Sequence, residues 1–181
     1  VDFSKPRYEL SRSVRLTFAE GIADDASELA ALHTAVAEHL TGLYGRGPWS
    51  NRTSEKSVLS AMRRSRVLVA RQGGKIVGTL RLGTKKPWAI DPSYFSKSRK
   101  PLYLLAMAVL PQKQRQGLGR RCLEEAQRIA RAWPADAVRL DAYDAHAGAG
   151  DFYARCGYSE RGRLTYRNVA LIYYELLLAQ A

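Results

Sequence analysis

The sequence predicts an α/β fold with strands and helices interleaved along the chain. Three observations carry this. Val67-Leu68-Val69-Ala70 and Ile76-Val77-Gly78-Thr79-Leu80-Arg81-Leu82 flank the turn Gln72-Gly73-Gly74, the pattern of a β-hairpin. Leu102 to Val109 is a continuous apolar run, which marks a central strand covered on both faces. After it, Gly117 and Gly119 open a long amphipathic helix. That helix places Leu118, Cys122, Ala126, Ile129 and Trp133 on one side and stops before Pro134.

The other elements follow in order. Val14, Leu16 and Phe18 alternate as a first strand. Asp25-x-x-Glu28 has the spacing of a capping box, and Leu29, Leu32, Val36 and Leu40 succeed it at helical intervals, with Gly42 as the predicted stop. Leu43 to Trp49 is turn-rich. A second helix starts near Ser54 with Val58, Ala61 and Met62 inward. A long connection, Gly83 to Pro101, follows the hairpin; connections of that length are usually functional or mobile. Val138-Arg139-Leu140 is a further strand, and a final hairpin runs from Leu164 to Leu178 around Arg167-Asn168.

Composition narrows the class. At 181 residues, 46% of them hydrophobic and 25% charged, the chain suits one globular domain over residues 1–181, with 1–12 as an N-terminal extension. No apolar run approaches the ~20 residues that cross a bilayer, and Val1 to Lys5 lacks a signal core, so a cytoplasmic protein is expected. Cys122 and Cys156 are too few for a disulfide framework and read as reduced core thiols. The net charge of +12 suits a polyanion or an anionic cofactor. Its basic residues are dispersed, without a run of five or a recognisable nucleic-acid module, which makes nucleic acid an unlikely partner. Lys113, Arg115, Arg120 and Arg121 instead flank one loop.

That loop is the most informative stretch. A strand ending at Val109, a basic and amide-rich turn, and a glycine-opened helix aim free backbone N–H groups and a positive helix end at one point, a site for a phosphate-bearing ligand. No Gly-x-x-x-x-Gly-Lys-Ser/Thr run exists. A dinucleotide fingerprint would need a third glycine where Cys122 stands, although Asp141 lies near the acidic spacing. A glycine-opened helix without a ligand is the plain alternative.

Gln114-x-x-Gly117-x-Gly119, together with Phe152-Tyr153-x-x-x-Gly157-Tyr158, resembles the two cofactor motifs of the GNAT superfamily of N-acetyltransferases. The resemblance implies a mixed central β-sheet of about six or seven strands, with helices on both faces and a splay between the fourth and fifth strands. It implies acetyl-CoA as acyl donor, no metal, and direct attack by a primary amine of a small molecule or amino-acid-like acceptor. The pyrophosphate would meet the N–H groups of Gln114, Arg115, Gln116, Gly117, Leu118, Gly119 and Arg120, the two glycines allowing close approach. Main chain near Met107, Ala108 and Val109 would dock the pantetheine arm and polarise the thioester oxygen. By the same resemblance Tyr153 is the candidate proton donor to the departing thiolate, core packing beside Phe152 being the plain alternative. His146 stands where many relatives have Asn; it either bonds the cofactor or, the reading favoured here, caps the short helix.

The base is not evident. The fourth strand holds no acid, so Asp91, Glu38 or ordered water is left to deprotonate the amine, and a non-catalytic CoA-binding sensor or interaction module is the alternative function. Asp141 and Asp144 either orient substrate or satisfy strand-end N–H groups. His33 and His39 are six apart, not the four of a helical metal pair. Tyr44, Trp49, Trp88, Tyr94 and Tyr166 either line the acceptor pocket or serve local packing. A basic protein is a poor match for lysine-rich tails; the resemblance implies a final hairpin able to pair across a homodimer, with the oligomeric state left open.

Overall fold

The computed structural model describes residues 15–178. In chain order the elements are β1 (Leu16–Glu20), α1 (Ala26–Tyr44), α2 (Glu55–Met62), β2 (Arg66–Gln72), β3 (Lys75–Gly83), β4 (Pro101–Val109), α3 (Leu118–Ala132), β5 (Ala137–Tyr143), α4 (Gly150–Arg155), β6 (Ser159–Tyr166) and β7 (Val169–Leu177). The seven strands form one sheet in the order β1-β2-β3-β4-β5-β7-β6. All neighbours are antiparallel except β4 and β5, which makes the sheet mixed.

Alternation along the strands divides the core. Leu68, Leu80, Leu82, Leu102, Leu104, Val138, Leu140 and Ala142 pack against Leu118, Cys122, Leu123, Ala126 and Ala130 of α3 and Tyr153 of α4. Val67, Val69, Ile76 and Ala108 face the other way, toward Ala26, Leu29, Ala30 and Leu32 of α1 and Val58 of α2. Helices therefore cover both faces.

Two turns explain their hairpins. Gly73 and Gly74 both take positive φ (61° and 78°), as a two-residue turn of type I′ requires. Arg167 and Asn168 do the same without glycine (48° and 63°).

Several local expectations are corrected. Val14 and the 1–12 extension lie outside the described residues. Helix α1 runs through Gly42 to Tyr44 and stops at Gly45, whose φ of 77° favours glycine. The capping box does not form. Asp25 accepts from the Ile22 N–H (3.0 Å) and ion-pairs with Arg71, while Glu28 accepts from the Ile76 N–H of β3 (2.7 Å). Both acids thus hold α1 to the sheet rather than capping its own end.

The long connection is tied down. Arg139 and Arg161 converge on the buried Glu175 carboxylate at 3.0 and 2.8 Å, and Arg139 also donates to the Ser96 carbonyl. Glu175 accepts from the Ser96 N–H (3.2 Å), and the Tyr173 hydroxyl bonds the Ala89 carbonyl and accepts from the Asp91 N–H.

Candidate active site

The site begins where the sheet opens. β4 and β5 pair only over Pro101–Tyr103 with Ala137–Arg139, so from Leu104 onward β4 has no β5 partner. Into that splay opens a cleft of about 350 Å³ whose walls include Leu104, Leu105, Ala106, Met107, Asp141, Tyr143 and Tyr153.

At the same point β4 carries a bulge. Thr79 of β3 pairs with Ala108 but Arg81 pairs with Leu105, leaving an extra residue on β4, and Ala106 takes a φ of 47°. The extra residue shifts the alternation, so Ala108 joins the α1 side while Met107 turns to the α3 side. Met107 Sδ accepts from the Tyr153 hydroxyl at 3.7 Å. Ala106 also borders a second cleft of about 300 Å³ on the α1–α2 face, and so belongs to the walls of both.

At the end of β4 the loop gathers free backbone N–H groups. Arg115 (φ 60°) and Gly117 (φ 79°) are both left-handed, which curls the chain as it enters α3, the kind of turn in which successive N–H groups can converge on an anion. The N–H groups of residues 115–120 donate to no acceptor among the described residues, whereas that of Gln114 is taken by the Pro111 carbonyl. Six free donors at a helix N-terminus fit a diphosphate. The Gln114 amide donates to the Val109 carbonyl (3.0 Å), so its side chain anchors the loop to β4. Arg120 similarly reaches the Arg155 carbonyl (3.2 Å) and ties α3 to α4.

The two glycines serve different ends. A Cβ on Gly117 would meet no protein atom; the positive φ is what demands glycine. A Cβ on Gly119 would stand 3.1 Å from Phe152, so this glycine lets α4 approach α3.

Tyr153 is buried, and burial first, then the nearby Asp141, push its hydroxyl pKa well up. It holds its proton at any ordinary pH. Burial also raises the Asp141 carboxyl above the usual aspartate value. Leu140 and Ala142 belong to the α3 side, so Asp141 between them faces α1. Acid and carboxylate thus enter one cleft from opposite faces of the sheet.

Other expected positions lie apart. His146 is exposed on the turn after β5 and caps nothing: α4 begins after Ala149, without a side-chain cap. Asp91 is exposed and caps Ser93, and Glu38 pairs with Arg52 at the surface. Of the five aromatics, Trp88 is 84% exposed, Tyr94 stacks edge-on against Tyr173, and Tyr166 lies under Arg167. Tyr44 is exposed. Trp49 alone approaches the cleft, through its edge contact with Tyr143. The second cleft is lined instead by His33, Arg64 and Arg81 with the hydroxyl residues Thr53, Ser57 and Thr79 and apolar neighbours. Among the described residues no three His, Cys, Asp or Glu side chains gather as a metal site.

A family model for the acetyltransferase (GNAT) family matches residues 32–158. The chain belongs to that family. It is accordingly a GNAT-type acyltransferase. No curated protein matches it by sequence. Solved structures share the fold. A ribosomal-protein-alanine N-acetyltransferase from Brucella melitensis superposes with a TM-score of 0.69 at 19% identity, over 90% of this chain and 99% of that one. The yncA protein of Salmonella typhimurium, solved with its cofactor acetyl-CoA, gives 0.67 at 16% identity, over 92% and 95%. An N-acetyltransferase from Staphylococcus aureus gives 0.67 at 14%, over 90% and 98%. The splay, the bulge and the open N–H loop are what this GNAT chain builds around that sheet.

Proposed function

We propose that the chain transfers the acetyl group of acetyl-CoA to a primary amine of a small molecule by direct attack. The observation that carries this is Ala106, which borders both clefts. A thioester lying along the free edge of β4 and an amine arriving past α1 would meet at that residue.

The N–H groups of Arg115, Gln116, Gly117, Leu118, Gly119 and Arg120 would hold the diphosphate, and Met107, Ala108 and Val109 would line the pantetheine path. Bound there, acetyl-CoA supplies an activated acyl group. Asp141 receives the proton that a protonated amine must lose, its raised pKa making it a better base than a solvent-exposed aspartate. Tyr153 Oη, kept protonated by burial, holds the proton that the leaving sulfur requires. Asp141 supplies the carboxylate that β4 itself lacks, and this favours turnover over a binding-only role.

Release of CoA thiol from acetyl-CoA with a panel of amines tests the reading. Turnover is expected with at least one class. Tyr153→Phe should lower kcat by about 100-fold or more while acetyl-CoA affinity stays near that of the unmodified chain. Acetyl-CoA binding without turnover across the panel would leave a CoA-binding module instead.

A further inference from the structure

We infer that the acceptor carries an anionic group as well as its amine, and that Arg81 binds that group on the α1–α2 side of β4. The inference rests on the acetyl-transfer reading and adds the substrate class.

Among the described residues four arginines are buried or half-buried: Arg71, Arg81, Arg139 and Arg161. Three have a carboxylate: Arg71 has Asp25, and Arg139 and Arg161 share Glu175. Arg81 has none. Its hydrogen bond to the Ser65 hydroxyl is long (3.4 Å), and the cleft it lines contains His33 and Arg64 but no Asp or Glu. A half-desolvated guanidinium with five donors costs free energy unless something supplies acceptors and countercharge. A bound carboxylate or phosphonate does both, through a forked pair of charge-assisted bonds.

Placement supports this. Arg81 sits opposite Leu105 on β3, beside the bulge, and Asp141 sits on β5 across the splay. Both face the α1 side of the sheet, with β4 and Ala106 between them. A small molecule that carries both groups would set its acid on Arg81 and present its amine across β4, toward Asp141. Burial first, then Arg64, lowers the Arg81 pKa, which an anion would relieve. His33, held down to about 4 by burial and then by Arg81, is a neutral imidazole at the same wall.

The test is calorimetric titration of the protein, with and without CoA, using the common L-amino acids, their C-terminal amides and aminoalkylphosphonates. At least one acid should bind about 10- to 100-fold tighter than its amide. That preference should vanish in Arg81→Gln and return in part in Arg81→Lys. Whether carboxylate or phosphonate binds better identifies the group. Amides that bind as well as acids, no acid binding to the unmodified chain, or a preference that survives in Arg81→Gln would each overturn the inference. Should Arg81→Gln not fold, the acid-to-amide ratio of the unmodified chain and the Arg81→Lys result decide. Acid binding without turnover would refute acetyl transfer and leave the anion site standing. Turnover of amides and acids alike would do the reverse.

Discussion

In the proposed reaction Asp141 and Tyr153 divide the proton chemistry, because their surroundings act on the two groups in useful ways. Burial raises both pKa values. For the carboxyl this brings a weak base closer to the pKa of an amine; for the phenol it prevents ionisation. The expected pH profile of kcat/KM therefore falls on acidification through a pKa above the ordinary aspartate value of about 3.9, with no alkaline loss from Tyr153 up to about pH 10. Asp141→Asn should abolish the acid limb and lower kcat by about 100-fold or more. A raised carboxyl pKa also means that the folded chain binds this proton more tightly than the unfolded one. The charged group thus weakens folding once pH rises through its folded pKa. Asp141→Asn should consequently melt at or above the unmodified chain's temperature at neutral pH. A variant with lower stability and an unchanged profile would remove Asp141 from the base role.

At the scale of elements, the loop before α3 and the connection before β4 position the site by different means. Gly117 holds a left-handed conformation with open space around it. Gly117→Ala is therefore expected to cost about 1–2 kcal/mol of stability and to weaken acetyl-CoA binding, read by chemical denaturation and titration. Gly119→Ala meets Phe152 instead and should disturb turnover through the adjacent Tyr153. The connection 84–100 is anchored through Glu175. Although burial opposes its charge, bonds from Arg139, Ser96 and Arg161 hold its pKa below the usual glutamate value. Its contribution is present above the unfolded pKa near 4.3 and is lost as pH falls through the lower folded value. Glu175→Gln leaves Arg139 buried without a countercharge and should cost about 3–5 kcal/mol at neutral pH, measured by urea unfolding. An unchanged midpoint would show that the cluster is not the anchor.

Across the whole molecule, element order was legible because each element carried its own local signal. Gly73-Gly74 marked one hairpin, the unbroken run 102–109 marked the central strand, and the amphipathic period after Gly119 marked α3. The bulge at Ala106 was not legible, since no glycine announces its positive φ. Nor was the place of Asp141, because which face it occupies and which cleft it enters depend on how β4 and β5 part. Which of the aromatics reach a cleft was hidden for the same reason. Trp88 and Tyr94 lie near the site's supporting loop in sequence, yet tertiary packing sends one to solvent and the other onto Tyr173. Arg81 read as an ordinary strand residue, and only the absence of a carboxylate beside it in three dimensions distinguishes it.

The central claim is that acetyl-CoA occupies the N–H loop and the splay, and thermal unfolding with acetyl-CoA, NADH and ATP tests it most directly. At a hundredfold its dissociation constant the ligand should add about 2.7 kcal/mol, a rise of about 5–11 °C for a chain of this size. A rise specific to acetyl-CoA is the predicted result. No rise at saturating acetyl-CoA, or an equal rise with all three anions, would contradict it.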